Sequence, residues 1–274
     1  MTKFKRSNRI AELTRIFIEN PRTNFQLTYF SERFQVAKSS VSEDITILEE
    51  YFAEQGLGEI TTSAGAAGGV RYIPRMEVKD AKAWMLETIS KLAVPERVLP
   101  GGYLYMTDLL GEPSFIRSLG RVFAEAFSAV DADMILTVET KGIPIALATS
   151  LYLHIPVVVV RRDSKVTEGT TVSVNYLSGS SRRIQTMSLA RRAIGNNKRA
   201  IIVDDFMKAG GTAKGMINLL QEFQSECVGI GVLMEMAEPK DKLVTDYISL
   251  AKLTEVDEIK KTVSVELGSF FEKI

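Results

Sequence analysis

The stretch from Arg199 to Leu220, RAIIVDDFMKAGGTAKGMINLL, constrains this chain more than any other. Ala200–Val203 is a short β-branched apolar run, as in a buried strand. Asp204 and Asp205 close that strand, and Phe206 and Met207 lead into the turn Lys208-Ala209-Gly210-Gly211-Thr212. Ala213, Met216, Ile217 and Leu220 then repeat at helical spacing. A turn of bare N–H groups at a helix N-terminus attracts phosphate. Two adjacent carboxylates can accept hydrogen bonds from a ribose diol or hold Mg²⁺ through water. Asp204 to Thr212 therefore reads as a site for a phosphorylated sugar. The pattern is neither GxxxxGK[ST] nor GxGxxG. The alternative is an ordinary strand and turn with solvated acids.

At 274 residues the chain exceeds a typical single domain, so two domains are expected. One cysteine, Cys227 in an apolar run, allows no disulfide within the chain, and one histidine, His154, allows no multi-histidine metal site. His154, at a helix end, reads as a local cap. No apolar stretch approaches membrane-spanning length and the N-terminus has no signal-peptide core, so no membrane partner and a cytoplasmic location are expected. The formal net charge is zero, but residues 1–42 carry eight Lys/Arg against three acids, and residues 161–199 nine against two. Such local excess can hold polyanions.

From the N-terminus, Ile10, Leu13 and Phe17 mark a helix between Ser7 and Glu19, ended by Asn20-Pro21. Leu27, Phe30 and Phe34 mark a second, and Val41, Ile45, Leu48 and Phe52 a third from Lys38 to Glu54. Glycines at 56, 58, 65, 68 and 69 flank two β runs, Ile60–Thr62 and Val70–Ile73, which read as a hairpin. Three helices and a hairpin make a winged helix-turn-helix, expected over residues 1–73. The N-terminal turn of its third helix would enter the DNA major groove. Lys38, Ser39, Ser40 and Ser42 lie there, off the apolar stripe, and Arg71 lies on the wing. Lys3, Lys5, Arg6 and Arg9 could contact phosphates. The acids of the third helix, Glu43, Asp44, Glu49, Glu50 and Glu54, would face away. The competing readings are that the serines only cap the helix and that the winged helix binds protein.

Residues 74–80 read as a linker and 81–274 as a second domain. Ala81–Leu92 is helical, Pro95–Gly102 is a break, and Phe115, Leu119, Val122, Phe123 and Phe127 are helix-spaced core. Met134–Val138, Pro156–Val160, Ala200–Val203 and Val228–Met234 read as strands separated by helices, hence a parallel doubly wound sheet. Ligands of such sheets bind at the strands' carboxyl ends. That rule gathers Thr140, Lys141 and Gly142 of the turn Glu139–Gly142, then Arg161 with Arg162 and Lys165, and Asp204–Thr212. Tyr103, just after the break, is grouped with the same ligand. Lys141 and the arginines could instead be merely solvated. Gly169 to Gln185 alternates around Ser178-Gly179-Ser180 as a hairpin, read as mobile.

The segment from about Asp131 to Met236 resembles a type I phosphoribosyltransferase. Through FQVAKSSVSEDITILEEYF, VETKG and IIVDDFMKAGGTAKGM the whole chain resembles the purine operon repressors of Gram-positive bacteria. The resemblance implies an α/β fold: a winged helix-turn-helix, then a phosphoribosyltransferase-like domain with a flexible hairpin and a C-terminal hood formed by Tyr247–Phe271. It also implies a homodimeric repressor that binds operator DNA upstream of purine genes. Phosphoribosyl pyrophosphate, with Mg²⁺, would be an effector that weakens that binding, with no catalytic cofactor and no turnover. Purine-transferring relatives often carry Asp where Lys208 stands, and Thr or Ser where Ala209 stands. Lys208 cannot serve as a carboxylate base. The open alternatives are an active purine or xanthine phosphoribosyltransferase, or a sensor of a guanosine polyphosphate.

Overall fold

A computed structural model describes residues 4–65, 68–162, 169–177 and 183–272. Lys3, Lys165 and the hairpin tip Ser178-Gly179-Ser180 lie outside the described residues. The chain divides into two units, residues 1–77 with 151–154, and residues 78–150 with 155–274.

The first unit holds α1 (Arg6–Glu19), α2 (Leu27–Phe34), α3 (Lys38–Glu54), β1 (Gly58–Ser63) and β2 (Gly69–Pro74). Phenylalanine fills its small core: Phe17, Phe30, Phe34 and Phe52 are wholly buried, with Phe17 edge-on to Phe30 and Phe52 edge-on to Tyr72. The turn between α2 and α3 bends through Gln35 in the left-handed region, φ 54°. β1 and β2 pair antiparallel from Gly58↔Pro74 to Ser63↔Gly69, and the paired backbone of Phe25 and Val70 ties β2 to the segment before α2.

One acid of α3 turns into the core. The Asp44 side chain is 1% exposed and accepts from Arg9 Nε at 2.7 Å and Arg6 Nε at 3.1 Å. The sequence stripe missed this because Asp44 adjoins Ile45 on the buried face, where a carboxylate is tolerated only when paired. Arg9, 11% exposed, is thereby a structural residue, whereas Arg6 keeps 54% of its side chain in solvent.

The second unit begins with α4 (Val78–Leu92), which starts inside the segment read as linker because Ala81, Met85 and Leu92 already set a buried stripe. There follow β3 (Val98–Leu99), β4 (Tyr103–Leu104), α5 (Thr107–Leu110), α6 (Pro113–Ala126), β5 (Met134–Val138), α7 (Gly142–Leu153) and β6 (Val157–Val160). Trp84 of α4 packs on Phe115 of α6, ring centroids 5.3 Å apart. Next come β7 (Thr171–Leu177), β8 (Ile184–Ala190), β9 (Arg199–Met207), α8 (Gly211–Glu222), β10 (Glu226–Met236), β11 (Ile248–Asp257) and β12 (Thr262–Leu267).

The central sheet has the order β12-β11-β10-β9-β5-β6, parallel except for the antiparallel edge pair β11–β12. All five residues of β5 are buried, as a strand covered on both faces requires. The chain leaves β5 through α7 to one side and β9 through α8 to the other. A crevice therefore opens between their carboxyl ends.

Two expectations change here. β9 runs through Asp204 and Asp205 to Met207 instead of ending at Val203, because β10 continues alongside and pairs with Asp204 and Phe206. Tyr247–Phe271, expected as a hood, supplies β11 and β12 and so extends the central sheet. The β7–β8 hairpin packs on α8: Tyr176 and Met187 are buried in one cluster with Met216, Leu219 and Leu220.

Breaking the Asp44 clamp should cost the first unit dearly, since it leaves the largely buried Arg9 guanidinium without its carboxylate. Asp44→Ala is expected to lower its stability by about 3–5 kcal/mol, read as lost hydrogen-exchange protection in α1 and α3 with that in β9 unchanged.

Candidate functional site

A cavity of about 310 Å³ lies at the crevice. Its floor is apolar: Val138 of β5, Ile202 of β9, and Ile230 and Val232 of β10. Its rim gathers Tyr103, Thr140, Lys141 and the whole run from Asp204 to Thr212. Two residues expected here do not line it, Gly142 and Arg161.

Gly142 has a different task. A Cβ there would lie 2.3 Å from Thr137 Oγ1 and 3.0 Å from Asp204 Oδ1. Only a glycine lets the turn after β5 close against β9. The Thr137 hydroxyl, buried at this seam, has no hydrogen-bond partner among the described residues.

Arg161 exchanges both backbone hydrogen bonds with Ser188 of β8 and reaches Glu139 with its guanidinium at 3.5 Å. Strand alternation then sends the next side chain, Arg162, to the cavity. A run of adjacent arginines gives no phase, so the sequence could not choose between them. The Arg162 N–H donates to Glu139 Oε1 at 2.9 Å, which joins the ends of β5 and β6.

The two acids differ. Asp204 is buried and its Oδ1 accepts from the Asp205 N–H at 2.9 Å. Burial, and then the charge of Asp205, push the Asp204 carboxyl well above the usual carboxylate range, against the pull of Arg162. Asp205 is half-buried at the wall. Among the described residues no three His, Cys, Asp or Glu side chains gather as a metal cluster. Asp205 can still reach Mg²⁺ through water if phosphate oxygens supply the other donors.

The turn itself suits a phosphate. Gly210 sits at φ 78°, at the N-cap of α8, with no side-chain cap. The N–H groups of Ala209, Gly210, Gly211 and Thr212 have no partner among the described residues. Lys208 Nζ lies 5.6 Å from the centre of the Tyr103 ring, and Tyr103 packs on Phe206 at 5.4 Å. Tyr176 of β7 reaches the same end: its hydroxyl donates to Gln185 at 2.7 Å, and burial raises its pKa. All four floor residues lie on strands expected from the sequence, but neither they nor Tyr176 are singled out there as site residues. Alternation along β10 was the signal for Ile230 and Val232.

In the first unit, a separate cleft of about 290 Å³ lies between the start of α2, Lys38 and the wing residues Thr62, Ser63, Gly65, Gly68 and Gly69. Ser39 and Ser42 are exposed beside it and Ser40 half-buried. Lys5 and Arg71 are exposed, and Arg71 donates to Thr61 Oγ1 at 3.3 Å along the wing. The cleft thus brings together Lys38 and the hairpin tip, while Lys5, Arg6 and Arg71 lie outside its lining.

Fold and cavity define the class: a winged-helix module joined in one chain to an α/β unit of phosphoribosyltransferase fold. Residues 5–74 match the family described as bacterial purine repressor, N-terminal, and residues 107–269 the phosphoribosyl transferase domain. The chain belongs to the bacterial purine-repressor family. It is 50% identical over 268 residues, 98% of this chain and 94% of the other, to the purine biosynthesis transcriptional repressor PurR of Bacillus subtilis (strain 168). It is 39% identical, over 97% of this chain and 98% of the other, to the purine biosynthesis transcriptional activator PurR of Lactococcus lactis subsp. lactis (strain IL1403). The crystal structure of adenine phosphoribosyltransferase from Thermoanaerobacter pseudethanolicus superposes with a TM-score of 0.54 at 23% identity, covering 61% of this chain and 99% of that one. At that identity the likeness shows the fold alone. Among the described residues no helix is long and apolar enough to cross a membrane.

The environment of Asp204 makes a signed prediction. Its folded pKa lies above its unfolded value, so the stability it gives is full below the unfolded pKa and is lost as pH rises through the folded one. Asp204→Asn, which stays neutral, should match the wild-type melting temperature near pH 4 and exceed it increasingly toward pH 8.

Proposed function

We propose that this protein is a transcriptional repressor of purine-synthesis genes whose grip on operator DNA is weakened by phosphoribosyl pyrophosphate held, without turnover, in the cavity above β5 and β9. What carries the reading is one pairing, in a chain that matches 94% of the length of a relative named as a repressor: a winged helix and an uncapped phosphate-type turn.

On the DNA side, the chain acts as a homodimer on operator DNA. Lys38 and the serines at the start of α3 meet base edges and phosphates in the major groove, and the wing follows an adjacent backbone. Lys5, Arg6 and Arg71 add sequence-independent phosphate contacts. In the cavity, the N–H groups of Ala209–Thr212 take the 5-phosphate. Asp204 and Asp205 accept from the ribose diol, and Lys141 and Arg162 face the pyrophosphate. Mg²⁺ brought by the ligand is held by its phosphates and, through water, by Asp205. Lys208 gives this site a cation at the position where purine-transferring enzymes often place a carboxylate, which favours anion binding over proton abstraction.

For control of transcription the ligand must bind the DNA-free form more tightly, by about 1–3 kcal/mol. Repression rather than activation is supported by the higher identity to the repressor than to the activator. A second reading is an active phosphoribosyltransferase, favoured by the intact pair of acids at the cavity.

The test is operator binding at fixed salt, with and without phosphoribosyl pyrophosphate and Mg²⁺. Wild type should release the DNA. Asp204→Ala should bind it with unchanged affinity and need at least tenfold more ligand for release. Normal release from that variant would show the effector site to be misassigned. A nucleotide formed from phosphoribosyl pyrophosphate and a purine base would establish the second reading.

A further inference from the structure

Lys242 lies in the stretch between β10 and β11, in a segment that supplies no lining to the cavity. Its Nζ donates to three backbone carbonyl oxygens: Lys208 at 2.9 Å, Met236 at 2.7 Å and Pro239 at 3.0 Å. An ammonium group has three protons, and all three are used. The next residue continues the pattern, since the Leu243 N–H donates to the Ala209 carbonyl at 2.9 Å. Val244 then packs on Gly210, its Cγ2 3.1 Å from where a Cβ would stand.

We infer that Lys242 is a positioning residue for the phosphate-binding turn, holding the turn's carbonyls outward so that its N–H groups face the cavity. The reason lies in the peptide plane. In a trans peptide the C=O of one residue and the N–H of the next point in opposite directions. Fastening the carbonyls of Lys208 and Ala209 to Lys242 and Leu243 therefore aims the N–H groups of Ala209 and Gly210 the other way. Both residues line the cavity, and neither N–H has a partner among the described residues.

No carboxylate lies within 4.0 Å of the Lys242 ammonium among the described residues, so the group is held by carbonyl dipoles alone. Burial accordingly lowers its pKa, against the pull of Glu235 and Glu238. A cation kept half out of water for no ion pair is spent on the shape of the turn, and it adds positive potential beneath the anion.

The inference rests on the cavity taking a 5-phosphorylated ribose, so the experiment separates the two. Full-length wild type, Lys242→Met and Lys242→Gln are titrated with phosphoribosyl pyrophosphate, and inorganic pyrophosphate is then competed against it. Lys242→Met, which keeps the length but no donor, should weaken phosphoribosyl pyrophosphate at least tenfold. Pyrophosphate, which meets the Lys141 turn, should stay within twofold. Lys242→Gln, with two donors on a shorter arm, should fall between and carries the comparison if the Met variant fails to fold. Absence of binding by wild type overturns the reading of the cavity and the role of Lys242 with it. Wild-type binding that both variants match overturns the role of Lys242 alone. An equal loss for both ligands shows general damage and also overturns the positioning role.

Discussion

The seam between β5 and β9 is the constraint on which the second unit depends. Two parallel strands lie side by side and their crossovers leave in opposite directions, so no helix can cover the gap at their carboxyl ends. The chain closes the gap only partly, by bringing the Glu139–Gly142 turn so near β9 that the Gly142 Cα sits against Thr137 and Asp204. What stays open is the cavity. Its apolar floor comes from the strands, and its polar rim from the turns that must follow them.

Charges of both signs gather at the rim. Asp204 is kept from water by the turn it contacts, while Lys141, Arg162 and Lys208 face the same space. The turn after β9 leaves its N–H groups unspent because their carbonyl partners are fastened to the segment after β10. In the winged helix a buried carboxylate on α3 claims Arg6 and Arg9 of α1. In each unit a charged side chain fixes local geometry, through an ion pair at Asp44 and through backbone carbonyls at Lys242.

How much of this was legible depended on the range of the interaction. The stripe Val41, Ile45, Leu48, Phe52 delimits α3 at Lys38 and Glu54 because a helix is written in contacts three and four residues apart. The strand–turn–helix of β9 and α8 is equally local. The end of β9 is not: its last residues are strand only because β10 lies beside them. Arg161 and Arg162 could not be told apart until β8 paired with one of them and fixed the phase. The hood became two strands because the edge of β10 was open to receive Ile248–Asp257.

The sequence by itself determined the two modules, the doubly wound sheet and the glycine turn between β9 and α8, since each follows from short-range periodicity and from residue types suited to one backbone shape. Only the tertiary structure decided which arginine faces the cavity, that Asp44 is a clamp, that Gly142 is a point of close approach, and that Lys242 holds the turn. Each of these joins residues far apart in the chain, and a single sequence carries no record of which distant backbone atoms will meet.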